Sequence, residues 1–294
     1  MYYRRRYLLA LLRAHGGTLD RLRLMKLLLL SLKDRKEPLF SFVPYKFGAY
    51  SFQATQDLRA LVAHGLLAQE EHQWHLADAT DHLAVLSAED RSHIARTVER
   101  YAMWNTRDIV HESYRLLPHT ATRSEMAEGL LNAEERQAVA ATKPKPSAPG
   151  LYTIGYEGLD IDAFLNKLMG AGITLLCDVR RNALSMKYGY SKKQLERYCK
   201  SAGIRYLHRP ALGIASEKRQ ELNGPEAYKV LFAEYVKRYL PEVVYEQENL
   251  LFDVQMEHRV AIMCYEADHD CCHRSHLATS LASLSASPLP VHHL

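Results

Sequence analysis

The sequence predicts an α/β protein: a Rossmann-like domain on a parallel sheet, preceded by a mainly α, winged-helix domain. Strand-like and helix-like segments alternate from Leu151 onward, the pattern of a parallel sheet covered on both faces. Before them, three amphipathic segments precede a short hairpin pattern. The run ATKPKPSAPG between the two regions has the composition of a semi-extended linker. We therefore predict a winged helix at 1–80, a helical bridge at 81–140, a linker at 141–150 and the α/β domain at 151–294.

The N-terminal elements follow from apolar spacing and from residues that begin or end helices. Helices are predicted over residues 2–15, 18–33 and 51–64. Thr18 and Ser51 are the expected N-caps of the second and third helices, because a hydroxyl can accept a hydrogen bond from the first turn. The segment 38–50, with Pro44 and a glycine, is predicted to be irregular, and 66–76 to form the hairpin, or wing.

The C-terminal elements alternate with a regular period. Strands are predicted over residues 151–156, 174–179, 204–208 and 259–266. Helices are predicted over residues 160–169, 191–202, 225–240 and 272–284. The segment 243–256 is assigned to the same helical layer, and residues 291–294 are expected to be a disordered end.

Composition excludes a membrane-spanning protein and a disulfide framework. No apolar run approaches the roughly 20 residues that cross a bilayer. Five cysteines, without any CxxC, favour a reducing compartment, so we expect a cytoplasmic protein with no membrane partner. The 294 residues suffice for two domains with cores, while the oligomeric state is left open.

The net charge of +4 is concentrated in two segments. Residues 1–50 hold eleven Lys and Arg against three Asp and Glu, and residues 177–220 hold the same numbers. The remainder of the chain is net acidic, so the two segments suggest surfaces that face DNA as the expected partner. The alternative is that each segment is simply a solvated helix face.

A winged helix would place specific side chains on DNA. Four residues of the third helix could face a groove: Ser51, Gln53, Gln56 and Arg59. Five others could lie near phosphates: Arg4, Arg5, Arg6, Lys46 and His72. A winged helix that binds another protein is the alternative.

Ionisable side chains follow every predicted strand of the α/β domain. They are Tyr156 and Glu157, then Asp178, Arg180 and Arg181, then His208 and Arg209, and finally Glu266, Cys272, His273 and Arg274. Parallel strands end at one edge of a sheet, which is where ligands bind in open α/β folds. The sequence therefore predicts a pocket at this edge.

Five ordered motifs resemble domain of unknown function 488. They are TIGY at 153–156, DVR at 178–180, YLH at 206–208 followed by Leu212-Gly213, CYE at 264–266 and CHR at 272–274. The resemblance covers about residues 151–285 and departs from the family pattern at Ile214, where the family often has a glycine. It implies no particular reaction. Members with an added winged helix resemble nucleic-acid-linked proteins.

Several of these side chains could be catalytic. Asp178 could act as a general base or stabilise an oxocarbenium ion, or it could only pair with Arg180. Glu157 and Glu266 could supply a second carboxylate, or cap helices, and paired carboxylates are what glycosidic hydrolysis uses. His208, or equally His273, could assist proton transfer.

The remaining groups suggest phosphate binding, base stacking or thiol chemistry. Arg180, Arg181, His273 and Arg274 suit phosphate, and Tyr156 could stack on a base. Cys272, at a helix start, could be an activated thiol or a small buried cap, whereas Cys264 is expected in the core.

Cofactors and metals are not expected. Cys and His residues at 268–276 fit no standard zinc spacing, and adjacent side chains point in different directions at a helix start. P-loop, GxGxxG and GxSxG motifs are absent from the sequence.

The leading hypothesis is an enzyme that hydrolyses an N-glycosidic bond of a base, ordinary or modified, in DNA. Removal of a modified base would fit defence against phage. One alternative is a winged-helix regulator that senses a small anionic ligand through its α/β domain. The others are a thiol-dependent enzyme that uses Cys272 and a metal-dependent nuclease.

Overall fold

Two compact units, Met1–Lys143 and Pro144–Leu294, make up the chain in this computed structural model. The structure describes residues 1–215 and 225–294. Residues 216–220, the end of the second basic segment, therefore lie outside the described residues.

The N-terminal unit combines helices with short antiparallel strands. Its helices are α1 (Tyr3–Ala14), α2 (Arg21–Leu32), α3 (Phe52–Ala63), α4 (Ala88–Tyr101), α5 (Thr106–Leu116), α6 (Ala127–Leu130) and α7 (Ala133–Ala141). Its strands are β1 (Thr18–Asp20), β2 (Val43–Tyr45), β3 (Gly48–Tyr50), β4 (Leu67–Glu70) and β5 (Gln73–Leu76). Strands β1, β5 and β4 form one antiparallel sheet in that order. Three helices followed by a hairpin is the element order expected from the sequence, and the winged-helix assignment itself stays a prediction.

The two predicted helix caps have different outcomes. Ser51 is the N-cap of α3, and its side chain accepts a hydrogen bond from the Ala54 amide at 3.1 Å, as expected. The prediction for Thr18 is wrong, because this residue lies in β1 opposite His75. Asp20 caps α2 instead and accepts from the Arg23 amide at 2.8 Å.

The segment predicted to be irregular contains a hairpin, because β2 and β3 pair around the turn Tyr45–Gly48. Gly48 has φ +83°, and a Cβ on it would overlap the ring of Tyr114. A glycine is therefore required both by the backbone conformation and by the approach of the turn to α5.

The segment predicted as a helical bridge belongs to the N-terminal unit. Ile94 and Tyr101 of α4 and Ile109 of α5 are buried in the same apolar cluster as α1 and α2. Leucines of α1 and α2 dominate this cluster, because both helices place apolar residues on their inner faces.

The C-terminal unit is an α/β domain. Its strands are β6 (Gly150–Gly155), β7 (Leu175–Asp178), β8 (Arg205–His208), β9 (Arg259–Cys264) and β10 (Val291–His293). Its helices are α8 (Ile161–Gly170), α9 (Lys192–Ser201), α10 (Pro225–Glu234), α11 (Leu240–Glu242), α12 (Val244–Glu257) and α13 (His273–Leu284), with a π-helical turn at Tyr235–Tyr239. The five strands form one sheet in the order β10-β6-β9-β7-β8, and every pair is parallel. The predicted α/β class with a parallel sheet is confirmed.

The prediction of a disordered end at residues 291–294 is wrong. Val291 pairs with Leu151 as β10 adds to the edge of the sheet. The imidazole of His293 lies 2.7 Å from the hydroxyl of Thr153, which fixes the strand further.

The central strands explain where the core of this unit lies. All residues of β6 and β7 are buried, as in a parallel sheet covered on both faces. Within the described part of the chain, none of the helices combines the length and apolar character that a membrane crossing requires.

Candidate functional site

The carboxyl ends of β6, β7, β8 and β9 lie along one edge of the sheet, which we call the rim. The register pairs Gly155 with Cys264, and Asp178 with both Met263 and His208. Gly155 has a further role, because a Cβ there would overlap the backbone carbonyl of Glu266. The loop after β9 therefore crosses closely over the end of β6.

Asp178 lies beneath the rim in a saturated network. Its Oδ1 accepts from the Arg180 backbone amide at 3.1 Å and from Arg180 Nε at 2.9 Å. Its Oδ2 accepts from another guanidinium nitrogen of Arg180 at 2.6 Å and from the Tyr206 hydroxyl at 2.7 Å. Each carboxylate oxygen thus has two donors, and the residue is 0% exposed. The structure therefore contains the ion pair between Asp178 and Arg180 that the sequence left as an alternative. A catalytic role for Asp178 stays a prediction.

Arg180 connects this network to two tyrosines. It donates to the Tyr156 hydroxyl at 3.0 Å and to the Tyr190 carbonyl at 2.8 Å. Burial alone would lower the pKa of Arg180, but the hydrogen bond and the charge of Asp178 outweigh it and raise that pKa. The guanidinium is therefore held charged as a structural cation below the rim.

Two carboxylate residues lie next to each other at the rim. Glu157 is exposed; its amide donates to the Tyr265 carbonyl at 2.8 Å, and its Oε2 accepts from the Ala267 amide at 3.0 Å. These two partners flank Glu266, which is half-buried. Glu157 and Glu266 therefore lie on adjoining loops of the rim, after β6 and β9.

Arg274 organises the same loop. It is 2% exposed and donates to the backbone carbonyls of Glu266 and Ala267. Like Arg180, it donates from both terminal guanidinium nitrogens to protein acceptors, whereas its Nε has no hydrogen-bond partner among the described residues. Arg181 differs, because it is exposed and its contacts to the described residues are long, to the Pro210 carbonyl at 3.4 Å and the Tyr239 hydroxyl at 3.5 Å.

The aromatic residues of the rim divide into covered and exposed rings. Tyr156 is buried and stacks on Tyr190, with ring centroids 4.2 Å apart. Tyr265 is 46% exposed and contacts Tyr156 edge-on. Sequence reasoning missed Tyr265, although the CYE motif contains it, and its side chain is partly open to solvent.

A histidine and a lysine complete the rim. His208 is half-buried, and its Nε2 lies 2.9 Å from the Arg180 carbonyl. Lys187, which sequence reasoning also missed, donates to the Tyr156 carbonyl at 3.1 Å, and burial lowers its pKa. Its position beside a tyrosine in the loop after β7 is the sequence signal that could have identified it as a residue of the rim.

Two thiols and an imidazole gather beneath the end of β9. The side chains of Cys264, Cys272 and His273 are at most 1% exposed. His273 Nδ1 lies 3.6 Å from Cys264 Sγ and 3.8 Å from Cys272 Sγ. Burial raises the pKa of Cys272 well above its usual range, which disfavours an activated thiolate at this residue.

A comparison with family models bears directly on this domain. Residues 160–281 match the model described as Domain of unknown function DUF488. The C-terminal part of the chain carries a DUF488 domain. The resemblance seen in the sequence motifs is thereby confirmed for this region, and no curated protein matches the chain. Asp178, Glu266 and the Cys–His cluster lie within the matched part of the DUF488 domain, whereas Glu157 lies just before it.

Outside the DUF488 domain, the side chains predicted to contact DNA lie in two environments. Arg4 and Arg5 both pair with the carboxylate of Asp57, which is 0% exposed. Ser51 is 0% exposed and its hydroxyl caps α3, so the prediction that it faces a groove is wrong. Among the remaining side chains, Arg59, Lys46 and His72 are exposed, while Arg6, Gln53 and Gln56 are half-buried. The structure thus ties two of the predicted arginines to the fold of the N-terminal unit.

Proposed function

We propose that the DUF488 domain hydrolyses an N-glycosidic bond of a base in DNA and that the N-terminal unit binds the duplex. The observation that carries this proposal is the position of Glu157 and Glu266 on adjoining, hydrogen-bonded loops of the rim, together with the 46% exposed side chain of Tyr265 in the second of these loops. Enzymes that act on a base take it out of the stack, so such a site needs an aromatic surface beside its reactive groups.

The two carboxylates have distinct roles in this scheme. Glu157, which is exposed, activates the water that attacks the sugar carbon. Glu266, which is half-buried, lies beside it and stabilises the positive charge that develops on the sugar ring. Tyr265 stacks on the extruded base.

The buried network supports these groups from below. Asp178 and Arg180 fix Tyr156, whose amide bonds to the carbonyl of Tyr265 at 3.0 Å. Arg181 and Lys187 remain near the surface of the loop after β7 and can contact phosphates.

The N-terminal unit supplies the non-specific part of the affinity. Arg59 on α3, Lys46 in the hairpin and His72 in the wing are exposed. Such side chains contribute by neutralising phosphates and releasing counterions. A modified base is included as a substrate class, and its removal would fit a role in defence against phage.

The full chain should be incubated with duplex DNA that carries ordinary or hypermodified bases. Mass spectrometry measures released bases, and a gel after mild alkali measures abasic sites. We expect base release by the wild type and a loss of at least about 100-fold in Glu157→Gln, since general-base catalysis contributes roughly 10²–10⁴-fold. Glu248→Gln, an exposed glutamate of α12, is the matched control and should retain full activity.

Other outcomes would replace the proposal. DNA binding without base release from any substrate would favour the ligand-sensing regulator. Strand cleavage that depends on added Mg²⁺ and precedes base release would favour a nuclease. Base release that is unchanged in both Glu157→Gln and Glu266→Gln would exclude the assigned carboxylates.

A further inference from the structure

Cys264, Cys272 and His273 have the arrangement of a metal-binding set. Cys264 is the last residue of β9, Cys272 is the N-cap of α13, and His273 is the first residue of that helix. Their potential ligand atoms all lie within 4.8 Å of one another. The cluster therefore joins a strand and a helix that are separated by an eight-residue loop in the sequence but lie close together at this end of the domain.

The distances agree with those of a tetrahedral ion. Bonds of about 2.3 Å to sulfur and about 2.0 Å to nitrogen give a tetrahedral S–N edge of about 3.5 Å. The two observed Sγ–Nδ1 distances are 3.6 and 3.8 Å. Only small side-chain movements would place one ion in contact with all three atoms.

The orientation of His273 supports the same conclusion. Its Nε2 faces the backbone carbonyl of Val179 at 3.4 Å, while Nδ1 faces both thiols. Metal-bound histidines commonly donate their second ring N–H to a carbonyl, which fixes the tautomer and leaves the other nitrogen as the ligand. The end of β7 thus holds the imidazole ready to coordinate.

We propose that Cys264, Cys272 and His273 bind a zinc ion, with a water molecule or another exogenous ligand in the fourth position. Thiolate and imidazole ligands together suit zinc. Binding releases the two thiol protons to solvent, and the two thiolates neutralise the charge of the ion. The ion would fasten the end of β9 to the start of α13, on either side of the loop that carries Glu266.

The test is metal analysis of the full chain, purified under reducing conditions. We expect about one zinc ion per chain after dialysis, as a protein site of this ligand set retains its metal. Cobalt(II) replacing the zinc should give thiolate-to-cobalt charge-transfer absorption. The Cys272→Ser variant should lose both signals, and the matched control Cys271→Ser, whose side chain is exposed, should keep both.

The wild-type measurements alone can overturn the proposal, even if a variant fails to fold. Wild-type protein that binds no zinc from an excess and shows no charge-transfer band with cobalt contains no such site. A Cys264–Cys272 disulfide in the protein purified without reductant, together with absent zinc, would make the pair a redox element. Zinc retained equally by Cys272→Ser would place the ion elsewhere.

Discussion

Lys26 on α2 lies in an environment that should destabilise the N-terminal unit at neutral pH. Its side chain is 1% exposed and beside a cleft of about 410 Å³, and Nζ donates to the Ala49 carbonyl at 2.7 Å. Burial lowers its pKa from 10.5 to about 7. Replacement by methionine, which has a similar length and no charge, should remove the cost of burying this group.

The magnitude follows from the two pKa values. At about 1.36 kcal/mol for each pKa unit, Lys26 costs the folded state about 4 kcal/mol at pH 7. Methionine leaves the Ala49 carbonyl without its donor, which costs about 1–3 kcal/mol. The Lys26→Met variant should therefore be more stable than the wild type by about 1–3 kcal/mol at pH 7.

The difference should depend on pH with a defined sign. Between pH 7 and 10.5 the unfolded chain holds the lysine proton and the folded chain does not, so rising pH stabilises the wild type. The slope is about 1.4 kcal/mol per pH unit, so an advantage of about 1–3 kcal/mol at pH 7 should vanish at about pH 8–9. Below pH 7 both states are protonated, and the advantage should be constant.

Urea unfolding followed by tryptophan fluorescence measures this effect in the full chain. Trp74 and Trp104, the two tryptophans of the sequence, both lie in the N-terminal unit. Lys36→Met, at an exposed lysine, is the control and should leave the pH dependence unchanged. A stability difference between Lys26→Met and the wild type that is the same at pH 7 and pH 9.5 would refute the reasoning, because it would mean that Lys26 stays protonated when folded.

Three other substitutions test separate features. Gly48→Ala should destabilise the N-terminal unit by about 2 kcal/mol or more, because the new Cβ meets an aromatic ring. Gly16→Ala, at φ +92° with open space around the new Cβ, should cost only the backbone strain of about 1–2 kcal/mol. Equal losses of stability in fluorescence-monitored unfolding would contradict the packing argument. Asp178→Asn should destabilise the C-terminal unit by about 3–5 kcal/mol, since it leaves the buried charge of Arg180 without its carboxylate partner. Hydrogen exchange of β7 peptides measures this loss, and unchanged protection would count against the prediction. Arg59→Ala should lower the slope of log affinity for DNA against log salt by about 1 in fluorescence anisotropy, and an unaltered slope would mean that this side chain contacts no phosphate.

The sequence predicted local structure correctly where a residue type has a single common structural role. Ser51 precedes an apolar spacing that begins at once, and it caps α3 as expected. The prediction that Thr18 caps α2 failed because Asp20, two residues later, is also a good cap. Thr18 and Leu19 instead belong to β1, which pairs with β5. The three residues of β10 carry too little periodicity to be distinguished from a disordered end.

The candidate site was predictable as an edge of the sheet but not as a set of contacts. Parallel strands placed Glu157 and Glu266 at the rim, and the adjacency of β6 and β9 places them on neighbouring loops. The complete engagement of Asp178 depends on Tyr206, which only the pairing of β7 with β8 brings near. The geometry around His273 likewise arises from a close approach to Cys264 across a loop.

The strand order also has a consequence for how the C-terminal unit folds. Strand β6 is the first strand of this unit, yet its neighbours are the last two, and the Thr153–His293 contact spans 140 residues. The β7–β8 pair, by contrast, is linked by an Asp178–Tyr206 contact that spans 28 residues. Because closing a long loop costs entropy before the contact can compensate for it, the β7–β8 pair should form early and β6 late. Until then β6, an apolar strand with both edges open, is the segment of a new chain most exposed to pairing with another molecule.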